Sequence, residues 1–459
     1  MRQEQAIIKL TFLEAILLTL LILGGVSFLI IKYEAVPHIP IVLAIFLLFL
    51  YGMIKKVSIK DLESGMIEGA KSGLGAVMIF FFIGMLISSW MASGTIPTFI
   101  YFALEFVNGK FFYCVVFVVT SLIGISIGSS LTTAATLGVA FMSVSSALDF
   151  SLPITAGAII SGAFFGDKMS PISDTTNLAS MTVKVDLFEH IKNMMWTTVP
   201  AFLLSFVLFA ALSPAEASAS FEKISLLKET LRSLNLVHLY SILPFLVLTF
   251  LAIKRVSSIV TLSAGILSSL VLTFFVQENF NFAVMIKLLF SGFEIKSGVE
   301  EIDVLLGRGG MESMMFSMSL VLLALALGGL LFKIGIMDAL LNAISAFLYK
   351  VPLLVLSTVT TAIGINFLVG EQYLSILLTG NAFEQPFKKA GLHLKNLSRI
   401  LEDAGTVINP LVPWGVCGVF LSGVLGVDTI DYVPYAFFCL LSPIITLFFG
   451  FTGIRISKL

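Results

Sequence analysis

A polytopic, all-α membrane fold is what this chain of 459 residues predicts, and three observations carry the prediction. First, hydrophobic residues make up 58% of the chain and charged residues only 12%. Soluble domains carry roughly 25% charged residues. With a mean hydropathy of +1.05, the chain has too few charges to build an aqueous surface. Second, apolar runs of spanning length recur from one end to the other. Third, several of those runs are interrupted by Gly, Pro and polar residues, the pattern of re-entrant hairpins and broken helices in transporters. A net charge of −1 with no basic stripe leaves nucleic acid without a binding surface. The lipid bilayer is the partner the composition demands.

The runs lie near 10–31, 36–54, 74–92, 111–127, 129–148, 152–165, 195–213, 236–253, 256–276, 317–334, 351–370, 400–427 and 432–454. This makes about 11 to 13 transmembrane segments, since some runs are too short or too polar for a simple span. The first, Leu10 to Ile31, is too long for a signal-peptide core and lacks a small-residue cleavage site, so it reads as a first transmembrane helix. Glu14 sits inside it and is expected to face a bundle interior. Val57 to Ser72 and Gln385 to Arg399 are amphipathic. Ser213 to Asn235 is the most polar insert, mixing Glu216, Lys228, Glu229 and Arg232, and reads as a solvated linker. The expected organisation is N-terminal transmembrane helices over 1–56, a first transporter repeat over 57–213 and the linker over 214–235. Connecting helices follow over 236–295 and a second repeat over 296–459. Positive charge at Arg2, Lys9, Lys55, Lys56, Lys60, Lys254 and Arg255 favours a cytoplasmic N-terminus and a cytoplasmic 55–71 segment.

The three cysteines, Cys114, Cys417 and Cys439, sit in apolar runs without metal-ligand spacing and read as packing residues. His38, His190, His238 and His393 are expected at interfaces. The tryptophans read as interfacial or core residues, Trp414 being the candidate exception because it follows Pro413 in a break.

The most informative stretch runs from Gly166 to Asn177, GDKMSPISDTTN. It puts two carboxylates, a lysine, a proline and five hydroxyl or amide side chains between apolar runs. Polar irregular backbone at membrane depth survives only inside protein or beside a wet cavity, and ionisable residues there are functional candidates. A weak internal repeat gives the stretch a partner. Glu68 to Ser72 resembles Gly309 to Ser313, Thr120 to Ile125 resembles Thr360 to Ile365, and Gly94 falls against Gly335. On that register Asp167 pairs with Asp403, Ser170 with Thr406 and Ser173 with Asn409. Repeats that each cross the membrane an odd number of times are inverted, with the two breaks meeting near the midplane.

A broken helix frees carbonyls on one side and N–H groups on the other, which attract cations and anions respectively. Carboxylates supply charge and exchange protons, while Ser, Thr and Asn oxygens complete a cation shell. Asp167, Asp174 and Asp403 are the first candidates, with Glu402 and Glu371 behind them. Thr175, Thr176, Asn177, Ser130, Thr132, Thr133, Gln372, Thr406 and Asn409 are the neighbouring polar candidates. Na⁺ ligands are expected among Asp167, Asp174, Asn177 and Asp403. Structural readings stand beside these: Asp167 with Lys168 as a structural pair, Asp174 as a helix N-cap, Glu371 at a membrane–water boundary, and the hairpin hydroxyls as close packing.

GDKMSPISDTTNLA over 166–179, GEQYL over 370–374, LSRILEDAGT over 397–406 and PLVPW over 410–414 together resemble the NhaC family of Na⁺/H⁺ antiporters. That family includes exchangers coupling malate and protons to Na⁺ and lactate. The resemblance implies two inverted repeats, each with a re-entrant hairpin and a broken helix, a bacterial inner-membrane location and a homodimer. It also implies Na⁺ and H⁺ as transported species, with no cofactor. Two departures fall near the site. The family's hairpin pattern Gly-Thr-Ser-Trp-Gly-Thr is replaced by GSSLTT over 128–133, and Asn-Thr-Cys-Gly after Pro413-Trp414 is replaced by GVCG over 415–418.

Two functions follow as expectations. The leading one is Na⁺/H⁺ antiport through the buried acids; the alternative is Na⁺-coupled exchange of small organic acids. Within the interrupted segments 124–136, 166–177, 364–381 and 402–416, Lys168 is the sole Lys or Arg that a carboxylate substrate could use. A membrane enzyme would need a nucleophile–base pair, a metal cluster or a nucleotide-binding loop, and the sequence has no such pattern.

Overall fold

The computed structural model describes residues 7–459 apart from 34, 107–110, 172, 215–220, 255, 278–279, 296, 298–302, 304–305, 308 and 345–349. Arg2, Glu216, Arg255 and position 296 therefore lie outside the described residues. Among the described residues every regular element is helical, save one isolated bridge between Leu392 and Lys458. Among the described residues six helices are long and apolar enough to cross a membrane, and two pairs in the second half, Leu394–Leu411 with Val416–Leu425 and Thr429–Tyr435 with Phe437–Thr452, bent by 46° and 58°, are each a broken span or a re-entrant loop. Four shorter apolar helices accompany them. The all-α polytopic fold is thus observed.

Two helices, α1 (Phe12–Tyr33) and α2 (His38–Ile54), open the chain. Glu14 lies in the first turn of α1 and pairs with Lys55 at 2.5 Å, so it anchors a helix end instead of facing a bundle interior. Next come α3 (Ile59–Ser72) and α4 (Leu74–Ala92), parted at Gly73. Ser58 caps α3 by accepting the Asp61 N–H at 3.1 Å. After α5 (Thr95–Phe106) and α6 (Phe112–Ile127), the expected 129–148 span is instead a short α7 (Ser130–Thr133), a π-helical turn and α8 (Val139–Ala147). Gly128, at φ 68°, ends α6 and turns the chain into that re-entrant piece.

The expected span 152–165 is longer than the hydropathy indicated. Helix α9 runs Leu152–Met169, so Asp167 and Lys168 occupy its last turn. The break falls after them, and α10 (Asp174–Thr182) and α11 (Leu187–Leu212) follow. The polar insert is partly helical: α12 (Phe221–Ser233) buries Leu231 and sets Arg232 over the Tyr101 ring of α5 at 4.8 Å. Helices α13 (Leu243–Ile253), α14 (Ser258–Val276) and α15 (Phe282–Ser291) connect onward.

The second half repeats the pattern: α16 (Met315–Ile334), α17 (Ile336–Ile344), α18 (Val351–Val369) and α19 (Gln372–Lys389). Then α20 (Leu394–Ile400) runs into a π-helical turn, Leu401–Thr406, and a 3₁₀ turn, Asn409–Leu411. Helices α21 (Val416–Leu425), α22 (Thr429–Tyr432) and α23 (Phe437–Thr452) complete it. Gly370, at φ 74°, ends α18 as Gly128 ends α6. Glu371 caps α19 through its side chain as Ser129 caps α7. The backbone therefore preserves the repeat where the side chains have diverged.

Glycine sets the two closest helix contacts. A methyl placed on Gly166 would lie 2.5 Å from Gly124 Cα, and one on Gly162 would lie 2.5 Å from the Phe117 carbonyl. Helix α9 thus seats directly on α6, as small-residue spacing allows. Gly69 of α3 meets Gly329 of α16 equally closely, since its added methyl would fall 2.1 Å from the Leu325 carbonyl.

Candidate functional site: two broken spans joined by a buried ion pair

The seat of α9 on α6 brings its last turn against the tip of the first hairpin. There Asp167 is buried, 4% exposed, with Ser130 of the hairpin and Ser173 beyond the break beside it. Breaking α9 would leave bare carbonyls in an apolar setting, which costs several kcal/mol per group. The following residues prevent this. Thr176 Oγ1 donates to the Lys168 carbonyl at 3.1 Å, and Asn177 Nδ2 to the Pro171 and Ser173 carbonyls at 3.0 and 2.7 Å. Ser170 Oγ donates to the Ile125 carbonyl of α6 at 2.8 Å. Ser173, not Asp174, is the N-cap of α10, accepting the Thr176 N–H at 3.4 Å and touching Thr175 Oγ1 at 3.1 Å. Asp174 occupies the first helical position and is exposed. In the hairpin Ser129 bonds Thr132 Oγ1 at 3.0 Å, and Thr133 Oγ1 donates to the Ser129 carbonyl at 2.8 Å.

The second break uses different means. Val416 N–H donates to the Gly370 carbonyl at 2.8 Å, tying α21 to the second hairpin. Asn409 Oδ1 accepts the Cys417 N–H at 2.8 Å, and its Nδ2 donates to Asn366 Oδ1 at 2.9 Å. Asn366 Nδ2 in turn reaches the Gly405 carbonyl at 2.6 Å. Trp414 Nε1 donates to the Phe367 carbonyl at 2.7 Å, which gives this tryptophan a structural bond. Glu371 Oε2 accepts the Leu374 N–H at 2.8 Å and is half-buried. The charges of Asp174, Glu371 and Asp167 all act on the Tyr373 hydroxyl, which gathers these acids into one region.

Lys168 joins the two breaks. It pairs not with neighbouring Asp167 but with Asp403 of the other half, and both side chains are fully buried. Thr197 Oγ1 of α11 and Thr446 Oγ1 of α23 also donate to Asp403, at 3.2 and 2.5 Å. A buried pair with its remaining lone pairs hydrogen-bonded is the arrangement that offsets desolvation. The pairing shifts the sequence register by one: Lys168 meets Asp403, and Asp167 lies among the charges acting on Glu402.

Glu402 is the exception to this satisfaction. It is fully buried, and neither carboxylate oxygen has a hydrogen-bond partner among the described residues. Thr406 Oγ1, Thr379 Oγ1 and Gln372 Oε1 are buried and unpartnered in the same sense.

Several polar residues here carried little sequence signal. Thr197, Thr446 and Thr379 are single hydroxyls in apolar helices, a pattern shared with many packing threonines. Asn366, a lone amide within an apolar run, was the one detectable signal. His190 is buried, its Nδ1 2.8 Å from Ser398 Oγ, which corrects the interfacial expectation. Buried Arg399 donates to the Arg455 carbonyl at 3.2 Å and leaves Nε and Nη2 without partners among the described residues.

Broken spans that converge on buried charges are the construction of secondary transporters. The chain belongs to the Na⁺/H⁺ antiporter family, whose model matches residues 4–176 and 162–454. It is 42% identical over 446 residues to the Na⁺/H⁺ antiporter NhaC of Alkalihalophilus pseudofirmus, covering 96% of each chain. It is 40% identical over 445 residues to the Na⁺/H⁺ antiporter NhaC of Bacillus subtilis, covering 96% of this chain and 98% of that one. The malate-2H⁺/Na⁺-lactate antiporter of Bacillus subtilis is 32% identical over 441 residues, with 95% and 94% covered.

Proposed function

We propose that this protein is a secondary active antiporter exchanging Na⁺ for H⁺ across the bacterial inner membrane, working as a homodimer and not as an enzyme. Na⁺ and H⁺ are its cargo, and no cofactor takes part. The observation that carries the reading is the pairing of charges at the two breaks. Lys168 is neutralised by Asp403, which leaves Asp167 and Glu402 as buried carboxylates without a cation of their own. A site with that balance accepts a small cation or a proton in turn. Asp174, exposed beside the first break, adds negative charge on the path to it. The NhaC relatives support the same cargo.

One observation favours a second reading, Na⁺-coupled exchange of small organic acids. Arg399 has two unpartnered buried donor groups, which a carboxylate could use, and a relative is named for malate and lactate. Against it, the other buried cation, Lys168, is already paired with Asp403. The deciding measurement uses purified protein in liposomes with a pH dye inside. An imposed Na⁺ gradient should move protons with no organic acid present. Proton flux appearing solely on addition of malate or lactate would replace the first reading with the second.

A further inference from the structure

We infer that Glu402 is the residue on which Na⁺ and H⁺ compete, with Thr379 and Thr406 as the oxygen ligands beside it. The inference rests on the Na⁺/H⁺ reading and assigns its parts.

The packing of the π-helical turn on α19 supplies the geometry. A methyl on Gly405 would touch Ser375 Oγ at 3.4 Å, and one on Gly380 would touch Leu401 Cδ1 at 3.1 Å. The two segments therefore run antiparallel, with Glu402 level with Thr379 and Thr406 level with Ser375. The turn is widened: the Val407 N–H reaches back to the Glu402 carbonyl, five residues earlier, at 3.3 Å. Such widened turns recur at functional sites. Glu402 Oε1 and Oε2, Thr406 Oγ1 and Thr379 Oγ1 are buried oxygens on these two packed segments, without hydrogen-bond partners among the described residues.

Native proteins satisfy nearly all buried polar atoms, so a cluster of unpartnered oxygens points to something that is bound there. Carboxylate and hydroxyl oxygens suit a hard cation. The charges acting on Glu402 are Asp167, Lys168 and Asp403. Among the elements packed on the turn, α10 carries Asp174, α20 carries Lys395 and Arg399, and α19 carries Tyr373, Glu384, Lys388 and Lys389. Helix α18 carries no titratable residue, and α23 carries Cys439 alone. Lys168 is paired to Asp403, Lys388 to Glu384 and Lys395 to Glu189, which leaves Arg399 as the buried cation on these elements with unpartnered donors among the described residues. In the exchange, the Glu402 carboxylic acid gives up its proton and the resulting carboxylate takes one Na⁺; the reverse step releases Na⁺ and takes one H⁺. The charge of the site is the same in both states.

The test is binding of ²²Na⁺ to the purified full chain in detergent between pH 6 and 9, for wild type, Glu402→Gln, Asp167→Asn and Thr379→Val. Wild type should bind Na⁺ with an apparent affinity that falls as pH falls. Glu402→Gln should lose binding. Asp167→Asn should bind more weakly yet keep the pH competition, and Thr379→Val should weaken binding about tenfold while keeping it, about 1.4 kcal/mol. Should Glu402→Gln not fold, Glu402→Asp replaces it, with a displaced pH midpoint expected. Competition lost in Asp167→Asn but kept in the Glu402 variants would reverse the assignment and overturn the inference. Unchanged affinity in Thr379→Val would remove the ligand set. Wild type that binds no Na⁺ at any pH would instead sink the Na⁺/H⁺ reading itself.

Discussion

The two broken spans solve one problem with different chemistry. The first satisfies its freed carbonyls with hydroxyl and amide side chains that follow the break in sequence. The second relies on a backbone bond to Gly370 and on the Asn366–Asn409 pair, which reach it from the neighbouring hairpin. The same problem is thus solved locally in one half and across elements in the other.

The largest expected effects come from the charges themselves. Asp167→Asn should strongly reduce Na⁺-driven proton flux in liposomes; normal flux would remove the first break from the site. Asp403→Asn should do the same by a different route, because it leaves Lys168 buried without its partner. Removing one member of such a pair costs about 3–5 kcal/mol. Lys168→Met alone should therefore lower thermal stability in detergent by that amount. Lys168→Met combined with Asp403→Leu should recover most of the stability without recovering transport. If the double variant stays as unstable as the single, the pair is not what joins the halves.

Smaller effects sharpen the contrast between the copies. The internal repeat aligns Gly124 with Gly364, yet Gly124 abuts Gly166 while Gly364 has no atom within 4 Å of an added methyl. Gly124→Ala should destabilise the protein by about 1–3 kcal/mol through overpacking. Gly364→Ala should be neutral or stabilising by up to about 1 kcal/mol, since Ala is the better helix former. Melting temperatures of the two variants compare them directly. Ser129→Ala, which removes the cap of α7, should cost about 1 kcal/mol; no change would mean the hairpin tip is held by its contacts alone.

Much of this architecture was legible before the structure. Hydropathy located the spans, and the interruptions at 124–136, 166–177, 364–381 and 402–416 contain or adjoin both hairpin tips and both breaks. What sequence misjudged follows from one limit: polarity along a chain does not say what lies across from it. Lys168 stands beside Asp167 in sequence, but a helix sends adjacent side chains in different directions, and Asp403 was the partner. Helix α9 runs on past Phe165 because the Lys168 carbonyl finds a partner in α10 and its ammonium one in the other half. The hydroxyls of Thr197 and Thr446 were indistinguishable from packing threonines until Asp403 was placed between them.

The contact of Gly65 and Gly69 on α3 with Gly329 on α16 has a mechanical consequence. These helices come from opposite halves, and their backbones touch with no layer of side chains between them. Sliding or rocking across that seam would drive carbonyl oxygens into Cα atoms within a fraction of an ångström, whereas side-chain-lined seams can repack. The seam is therefore a place where α3 and α16 can shift past each other only by first moving apart, and its glycines tolerate no larger side chain without that separation.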